Sequence, residues 1–292
     1  MKPIVRIVLP WLIISFSLLP NLQAAYPSDD LIDIQRTLNY YYEGAALHSV
    51  EVLARAYHPQ ARMVYVDTKT GRYEKFEVGD YLRTLADSHP VVHEKSIRIL
   101  SLDITGNTAL VKTCITFSGK GMRIIDFLTL HQMEGEWRIV SRTSFKEYAT
   151  FEKTKTLLWD KAFAQDQREV NDVLNTYLLG GDRSDATVLR TAFHPQADVT
   201  YTDPRKETCY IVSLADYLHM YDNQENRDLQ KRKHKVLSVD ITGNMAVAKI
   251  SIKYKRFQGM VTDYITLVKT DGKWSIILKA TDKEKSAFLA PV

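Results

Sequence analysis

Two pairs of oppositely charged residues occupy matching positions in the chain and could carry chemistry. Asp126 precedes an aromatic residue in an otherwise apolar strand pattern, and Arg142 lies near the end of the following strand. Asp263 and Lys279 repeat this arrangement later in the sequence. The hairpin spacing predicts that each acid lies nearly opposite its base, within about one residue of register. An acid that faces a base across a sheet is normally a structural ion pair.

Each pair could also act on a small molecule. An ion pair at the mouth of a cavity could bind a polar ligand, and Asp126 or Asp263 could serve as a general base. A general base needs a pKa that is raised by burial. A cationic neighbour lowers the pKa of a carboxyl group, so we expect ligand binding rather than proton abstraction.

Histidines at two matching positions are further catalytic candidates. His58 and His194 each precede a proline at a predicted helix-to-strand corner. Histidine titrates near neutral pH and could shuttle protons. A ring at such a corner can instead bond backbone carbonyls, and we favour that structural role for both residues.

Tyrosines recur at matching positions on the first helix and the first strand. Tyr41 corresponds to Tyr177, and Tyr65 corresponds to Tyr201. A tyrosine offers an apolar ring and one hydroxyl, which suits a flat ligand; packing in the core is the alternative. The predicted ligand-binding residues are Tyr41, Tyr65, Asp126, Arg142, Tyr177, Tyr201, Asp263 and Lys279.

These positions match because the chain contains one sequence twice. Ala-Tyr-His-Pro-Gln-Ala at 56–61 returns as Ala-Phe-His-Pro-Gln-Ala at 192–197, and Asp-Ile-Thr-Gly-Asn at 103–107 returns at 240–244. The offsets are 136 and 137 residues. Solenoid repeats recur at roughly 20 to 50 residues, so each copy is predicted to be a domain.

Each copy carries helical patterns first and strand patterns afterwards. Apolar residues at three- and four-residue steps predict a first helix, which Gly44 and Gly180 are expected to end. A short second helix, a strand pair, a third helix and a four-strand meander follow. This order predicts an α+β fold of two tandem cone-shaped domains, each a curved antiparallel sheet with three helices across its open face. The predicted segments are domain 1 at 31–149, a helical linker at 150–169 and domain 2 at 170–288.

The N-terminal residues predict export from the cytoplasm. Lys2 and Arg6 lead into a short apolar run, and small residues follow near Ala24. This is the layout of a signal peptide, here 1–24, and the run is too short to span a bilayer comfortably. We therefore expect a secreted or periplasmic protein without stable membrane insertion after cleavage.

Charge, cysteines and motifs exclude several functional classes. The net charge is +4, from 39 basic and 35 acidic residues. The basic run at 227–235 could suit nucleic acid, but export argues against that partner and favours a solvated strand entry. Cys114 and Cys209 do not align with each other, which favours lone thiols over a disulfide between the copies. Zinc-site spacings and phosphate loops are absent from the sequence, so we predict no metal and no cofactor.

The motifs resemble a known superfamily. Each copy carries His-Pro-Gln-Ala, then a Gly-Asn hairpin, then Asp-aromatic-x-Thr-Leu, then Gly-x-Trp-x-Ile. This order resembles the nuclear transport factor 2-like fold and is most similar to its lumazine-binding, polyketide-cyclase-like branch. The resemblance covers both copies. It implies a conical cavity under the helices, in a superfamily that includes isomerases, dehydratases, cyclases and non-catalytic binding modules.

The leading hypothesis is an exported, non-catalytic protein that binds a small, partly aromatic or apolar molecule in one or both cavities. One alternative is an isomerase, dehydratase or cyclase-type enzyme with Asp126 or His58 as its base. Another is a protein interaction module with filled cavities. Many members of the superfamily pair sheet to sheet, and both faces of the meander are apolar here, so we also predict an internal pseudo-dimer of the two copies.

Overall fold

The computed structural model describes residues 28–67, 73–88, 95–117, 121–148, 156–203, 206–222, 232–254 and 260–283. The predicted signal peptide, the start of the predicted linker and the first half of the basic run lie outside these ranges. Within them, none of the helices is long and apolar enough to cross a membrane.

Copy 1 consists of three helices and six strands in the predicted order. Its elements are α1 (Ser28–Leu47), α2 (Val50–Ala56), β1 (Tyr57–Asp67), β2 (Tyr73–Glu77), α3 (Val78–Asp87), β3 (Lys95–Thr105), β4 (Thr108–Phe117), β5 (Met122–Met133) and β6 (Glu136–Tyr148).

Copy 2 repeats this order, and its first helix is longer. Its elements are α4 (Thr156–Arg183), α5 (Ala186–Ala192), β7 (Phe193–Asp203), β8 (Thr208–Ser213), α6 (Leu214–Asp222), β9 (Arg232–Thr242), β10 (Met245–Tyr254), β11 (Met260–Thr270) and β12 (Lys273–Lys283). Most of the predicted linker therefore forms one continuous helix with the first helix of copy 2.

Short polar residues start the second helix of each copy. The Ser49 hydroxyl accepts a hydrogen bond from the Val52 N–H at 3.3 Å, and the Asp185 carboxylate accepts one from the Val188 N–H at 3.0 Å. Such N-caps satisfy backbone donors that have no partner inside the helix.

We had expected from the sequence that the first helix ends at Gly44 and at Gly180, but it does not. It continues to Leu47 in copy 1 and to Arg183 in copy 2. A Cβ at Gly44 would overlap the backbone of Leu53 on α2, and Gly180 faces the corresponding Leu189. The glycines are therefore needed for the close approach of two helices rather than for a helix end.

Each copy forms one six-stranded sheet, with strand orders β2-β1-β6-β5-β4-β3 and β8-β7-β12-β11-β10-β9. Neighbouring strands run antiparallel except β1 with β6 and β7 with β12, which are parallel. The parallel pair brings the first strand next to the last strand of the meander and so places both in the middle of the sheet.

One face of each sheet is covered by the three helices of its copy; we call it the helix-covered face. In copy 1 the core on this face joins α1, α2 and α3 with alternate residues of β1, β4, β5 and β6. Copy 2 has the same core composition in its own elements. Side chains on a strand alternate between faces, so Asp126 lies on the same face as Leu128 and Leu130, under the helices.

The opposite faces of the two sheets pack against each other and form a third core. It contains residues of both copies: Val64, Val66, Cys114, Ile125, Phe127 and Phe145 from copy 1, with Met245, Val247, Val268, Ile277 and Leu278 from copy 2. We call this surface the sheet interface. His131 on β5 spans it, because its Nδ1 lies 2.9 Å from the Thr108 hydroxyl and its Nε2 lies 2.9 Å from the Thr200 hydroxyl.

Two ion pairs at the sheet interface are reciprocal. Lys112 Nζ lies 2.8 Å from an Asp240 carboxylate oxygen. The equivalent residues bond in the reverse direction, with Lys249 Nζ 2.6 Å from Asp103. A contact in which the same two positions exchange roles is typical of a two-fold related pair. The two copies are therefore related by a pseudo-two-fold arrangement within one chain.

Candidate functional site

The carboxylate of Asp126 is fully buried on the helix-covered face of copy 1 and has three hydrogen-bond donors. The Tyr41 hydroxyl donates to Oδ2 at 2.8 Å. Arg142 Nε and the Ser144 hydroxyl donate to Oδ1 at 3.1 Å and 2.6 Å. Buried charges are stable only when they are paired and hydrogen-bonded, and this arrangement meets both conditions.

Copy 2 builds the same carboxylate site from equivalent positions. The Tyr177 hydroxyl donates to Asp263 Oδ2 at 2.6 Å, while Lys279 Nζ and the Thr281 hydroxyl each donate to Oδ1 at 2.7 Å. Burial by itself raises the pKa of Asp263, but the Lys279 charge and the hydrogen bonds outweigh it and lower the pKa below its usual value. A carboxylate with a lowered pKa is a weak base.

A β-bulge places each cation on the same face as its acid. Arg142 lies opposite Leu128, so it is two residues out of register from Asp126, where we had expected about one. The register shifts between Thr129 and Leu130, because β6 contains one extra residue there. Without this bulge Arg142 would point to the sheet interface. Copy 2 has the equivalent shift between Thr266 and Leu267, which brings Lys279 under the helices.

The two cations differ in how many of their donors are used. Lys279 Nζ bonds both Asp263 and Thr281, and it lies 5.6 Å from the ring centre of Tyr217. Arg142 Nε bonds Asp126, and the guanidinium group also interacts with the Tyr57 hydroxyl. Within the described residues its two terminal nitrogens form no hydrogen bond of good geometry, and the side chain is 13% exposed.

Tyr65 and Tyr201 lie on the helix-covered face but do not contact the acids. In register, Tyr65 is next to Ser144 and Tyr201 is next to Thr281. Burial raises the pKa of Tyr65. Tyr201 stacks on Tyr210 with ring centres 5.1 Å apart. The structure thus brings the predicted residues together as two equivalent groups. In each group one strand lies between the strand that carries the tyrosine and the strand that carries the acid.

The two candidate histidines bind their own backbone. His58 Nδ1 accepts from the Gln60 N–H, and His194 Nδ1 accepts from the Gln196 N–H, both at 3.2 Å. The partner is an amide N–H two residues along the strand rather than the carbonyl that we had expected. Burial lowers the pKa of both rings, with help from a nearby cation. Both histidines are the second residue of the first strand of their copy, where each ring bonds the local backbone.

Three hydroxyls near Asp126 were missed by the sequence analysis. Tyr42, Tyr57 and Thr113 are buried on the helix-covered face of copy 1, and none of their hydroxyl oxygens has a hydrogen-bond partner of good geometry among the described residues. Tyr42 is in weak contact with Thr113, and Tyr57 with Arg142. The Tyr42 and Tyr57 rings both contact Tyr41, with ring centres 4.8 Å and 6.0 Å from it. An unpaired buried hydroxyl costs about 1–3 kcal/mol, so such groups are normally satisfied by water or a ligand.

Copy 2 is apolar at the three equivalent positions. The residues of copy 2 that correspond to Tyr57, Tyr42 and Thr113 are Phe193, Leu178 and Ile250. These apolar residues belong to the core of copy 2. Phe193 keeps the ring packing, with its ring centre 5.9 Å from that of Tyr177. Aligning the two copies position by position would have identified the loss of these three hydroxyls in copy 2.

Arg232 was also missed, because the basic run was expected to be solvated. Its side chain is only 2% exposed, and its Nε lies 2.6 Å from Asp182 Oδ1 on α4. The same side chain donates to the Leu178 carbonyl at 2.8 Å. A Cβ at Gly181 would overlap this guanidinium group, and copy 1 has Ala45 at the equivalent position. The double glycine of copy 2 was therefore the available signal.

Metal and thiol chemistry find little support in the described ranges. There, no three histidine, cysteine, aspartate or glutamate side chains converge closely enough to hold a metal ion. Cys114 and Cys209 are both free and buried. Burial raises the pKa of Cys209 to about 12, so its thiol stays protonated and unreactive at neutral pH.

Comparison with known proteins gives a family match over both copies. A family model described as "Putative lumazine-binding" matches residues 29–145 and again residues 165–281, which together exceed half of the chain. No curated protein matches the sequence.

Several solved structures resemble parts of the chain. An NTF2-like protein of unknown function from Shewanella baltica is 26% identical, with a TM-score of 0.39, and covers 42% of this chain and 98% of its own. One from Silicibacter pomeroyi is 16% identical, with a TM-score of 0.37 and the same coverages. An NTF2-like protein with a cystatin-like fold from Novosphingobium aromaticivorans is 15% identical, with a TM-score of 0.36, and covers 48% of this chain and 96% of its own.

Proposed function

The chain belongs to the lumazine-binding family of nuclear transport factor 2-like proteins in two tandem copies, and from this premise we propose that it is an exported protein that binds a small molecule without transforming it. The ligand is a small, partly aromatic molecule that lies between the helices and the sheet. The family description supports a small-molecule ligand in general terms.

The observation that carries this proposal is the carboxylate beneath the helices, which is paired with a cation and accepts three hydrogen bonds. Asp126 accepts three hydrogen bonds, one of them from a cation, and Asp263 does the same. A general base needs a free lone pair near the substrate and a pKa close to the working pH. Each acid is bonded to a cation, and the pKa of Asp263 is lowered, which supports a role in organising polar groups around a site rather than in removing a proton.

Ring-bearing side chains around these acids support a flat ligand. Tyr41, Tyr42 and Tyr57 pack together above Asp126 in copy 1. Binding sites for small molecules combine apolar walls with a few convergent polar groups, and this mixture is present here. The packing of the two sheets supports the view that the tandem chain supplies, as an internal pseudo-dimer, a contact that separate chains make elsewhere in the superfamily.

Mass spectrometry of the mature protein tests the binding proposal. The protein is purified from its exported compartment and measured under native and denaturing conditions. We expect an additional mass of a few hundred daltons that disappears on denaturation. If no such mass is found, and lumazine and benzoate both fail to bind in titration calorimetry, the binding proposal is wrong.

Cell fractionation tests export. Residues 1–24 have the charge and apolar pattern of a cleaved signal, so the mature protein should start after Ala24 and leave the cytoplasm. N-terminal sequencing of the fractionated protein gives the cleavage site directly. An intact Met1 on cytoplasmic protein would contradict this part of the proposal.

A further inference from the structure

We propose that copy 1 alone holds the ligand, and that its site takes a planar molecule through a carbonyl or carboxylate oxygen, whereas the equivalent region of copy 2 is closed and structural. This inference rests on the proposed binding function and adds which copy binds and by what chemistry.

Copy 1 contains several buried donors that are not fully used. Among the described residues, the terminal nitrogens of Arg142 and the hydroxyls of Tyr42, Tyr57 and Thr113 have no hydrogen-bond partner of good geometry, and only weak contacts join Tyr42 to Thr113 and Tyr57 to Arg142. These three side chains are at most 2% exposed. Their spacing around Tyr41 places them beside one carboxylate site. Buried donors in such number predict an acceptor other than the described residues.

The Arg142 guanidinium group indicates the chemistry of that acceptor. A guanidinium group presents paired N–H donors in a plane, which match the oxygens of a carboxylate or a ring carbonyl. Asp126 already uses the Nε of Arg142 and fixes the plane of the group. Arg142 acts against the rise in the Tyr57 pKa that burial causes, through its charge and through a weak hydrogen bond to the Tyr57 hydroxyl. A ligand oxygen could therefore meet both residues.

The equivalent region of copy 2 is closed by its own side chains. Lys279 Nζ bonds Asp263 and Thr281. Apolar residues occupy the three positions that carry the unpaired hydroxyls in copy 1. Tyr217 and Tyr221 bond each other through their hydroxyls at 3.0 Å. Arg232 packs against α4 in the space left by Gly181 and is almost completely buried. In the described part of copy 2 these polar groups bond one another, and the positions that correspond to the three copy 1 hydroxyls carry no donor.

The test measures how many lumazine or benzoate molecules the full chain binds and which residues matter. Lumazine carries ring carbonyls and benzoate carries a carboxylate, so the two probes separate the two acceptor types. Titration calorimetry of the unaltered chain should give one molecule per chain for at least one probe. Tyr57→Phe should weaken its binding about tenfold, because a hydrogen bond is worth about 1.4 kcal/mol. Arg142→Lys should weaken it at least as much while keeping the ion pair, as Lys279 does in copy 2.

Matched changes in copy 2 provide the controls. Tyr217→Phe removes one hydroxyl from the helix-covered face of copy 2, and Phe193→Tyr adds one. Both should leave affinity and stoichiometry unchanged. Two molecules per chain, or binding that survives both copy 1 changes and is lost in Tyr217→Phe, would overturn the inference but leave the proposed function intact. Absence of binding and of any co-purified mass in the unaltered chain would overturn both.

Discussion

Replacing Lys279 with methionine should destabilise copy 2 in a way that depends on pH. The Asp263 carboxylate is 1% exposed, and Lys279 is the only cation bonded to it among the described residues. The methionine side chain fills a similar volume and removes the charge. Loss of one partner of a buried ion pair costs about 3–5 kcal/mol, so the free energy of unfolding at pH 7 should fall by that amount.

The sign of the pH dependence should reverse in this variant. In the unaltered protein the pKa of Asp263 is lowered, so its contribution is present above the unfolded pKa of about 3.9 and is lost as pH falls through the folded pKa. Without Lys279, burial dominates and raises the folded pKa above the unfolded value. The folded state then binds the proton more tightly, and the variant should recover up to about 1.4 kcal/mol per pH unit on acidification from pH 7 towards pH 5.

Urea unfolding at pH 7 and pH 5 measures this effect. Trp274 lies in the core of copy 2 and Trp137 in that of copy 1, so the measurement uses a Trp137→Phe, Trp159→Phe background in which the fluorescence of Trp274 follows copy 2. Thr281→Val is the matched control, because it removes an uncharged donor to the same Asp263 oxygen and should cost about 1 kcal/mol at both pH values. An equal loss for Lys279→Met at pH 5 and pH 7 would falsify the assignment of the cost to an unpaired charge.

Three further predictions concern the turns, the sheet interface and the thiols. Gly243→Ala should cost more than 2 kcal/mol and Gly135→Ala about 1 kcal/mol in urea unfolding, because both have positive φ but only the first would overlap a neighbouring ring. Burial lowers the pKa of His131 to about 3, so stability should fall between pH 6.5 and pH 4 by up to about 1.4 kcal/mol per unit. The His131→Val variant, which copies the residue of copy 2, should show a flatter pH profile. Cys114 and Cys209 should resist a thiol reagent in the folded protein and yield two thiols after denaturation; fewer would indicate a disulfide.

The sequence was sufficient to predict the repeat, the order of the elements and the fold class. Periodic apolar residues and repeated motifs report on local geometry and on faces of elements, and both are encoded within short stretches. The same reasoning identified Asp126 with Arg142 and Asp263 with Lys279, because matching positions in two copies act as an internal comparison.

The exact register and the surroundings of the acids could not be predicted. The extra residue in β6 that turns Arg142 towards the helices depends on the pairing of two strands, and no local pattern marks it. Gly44 was read as a helix end because glycine often ends helices, whereas here its missing side chain admits the next helix. Which hydroxyls stay unpaired depends on packing between elements that are distant in sequence.

The reciprocal contacts at the sheet interface have a consequence for how this protein can change over evolutionary time. In a dimer of identical chains every substitution appears on both sides of the two-fold axis. Here the loop at Gly106 meets Asp282, whose carboxylate accepts from the Asn107 N–H at 2.8 Å, while the equivalent loop at Gly243 meets the ring of Phe145. Fusion into one chain frees each half to acquire its own residues, so one half can specialise while the other becomes scaffold.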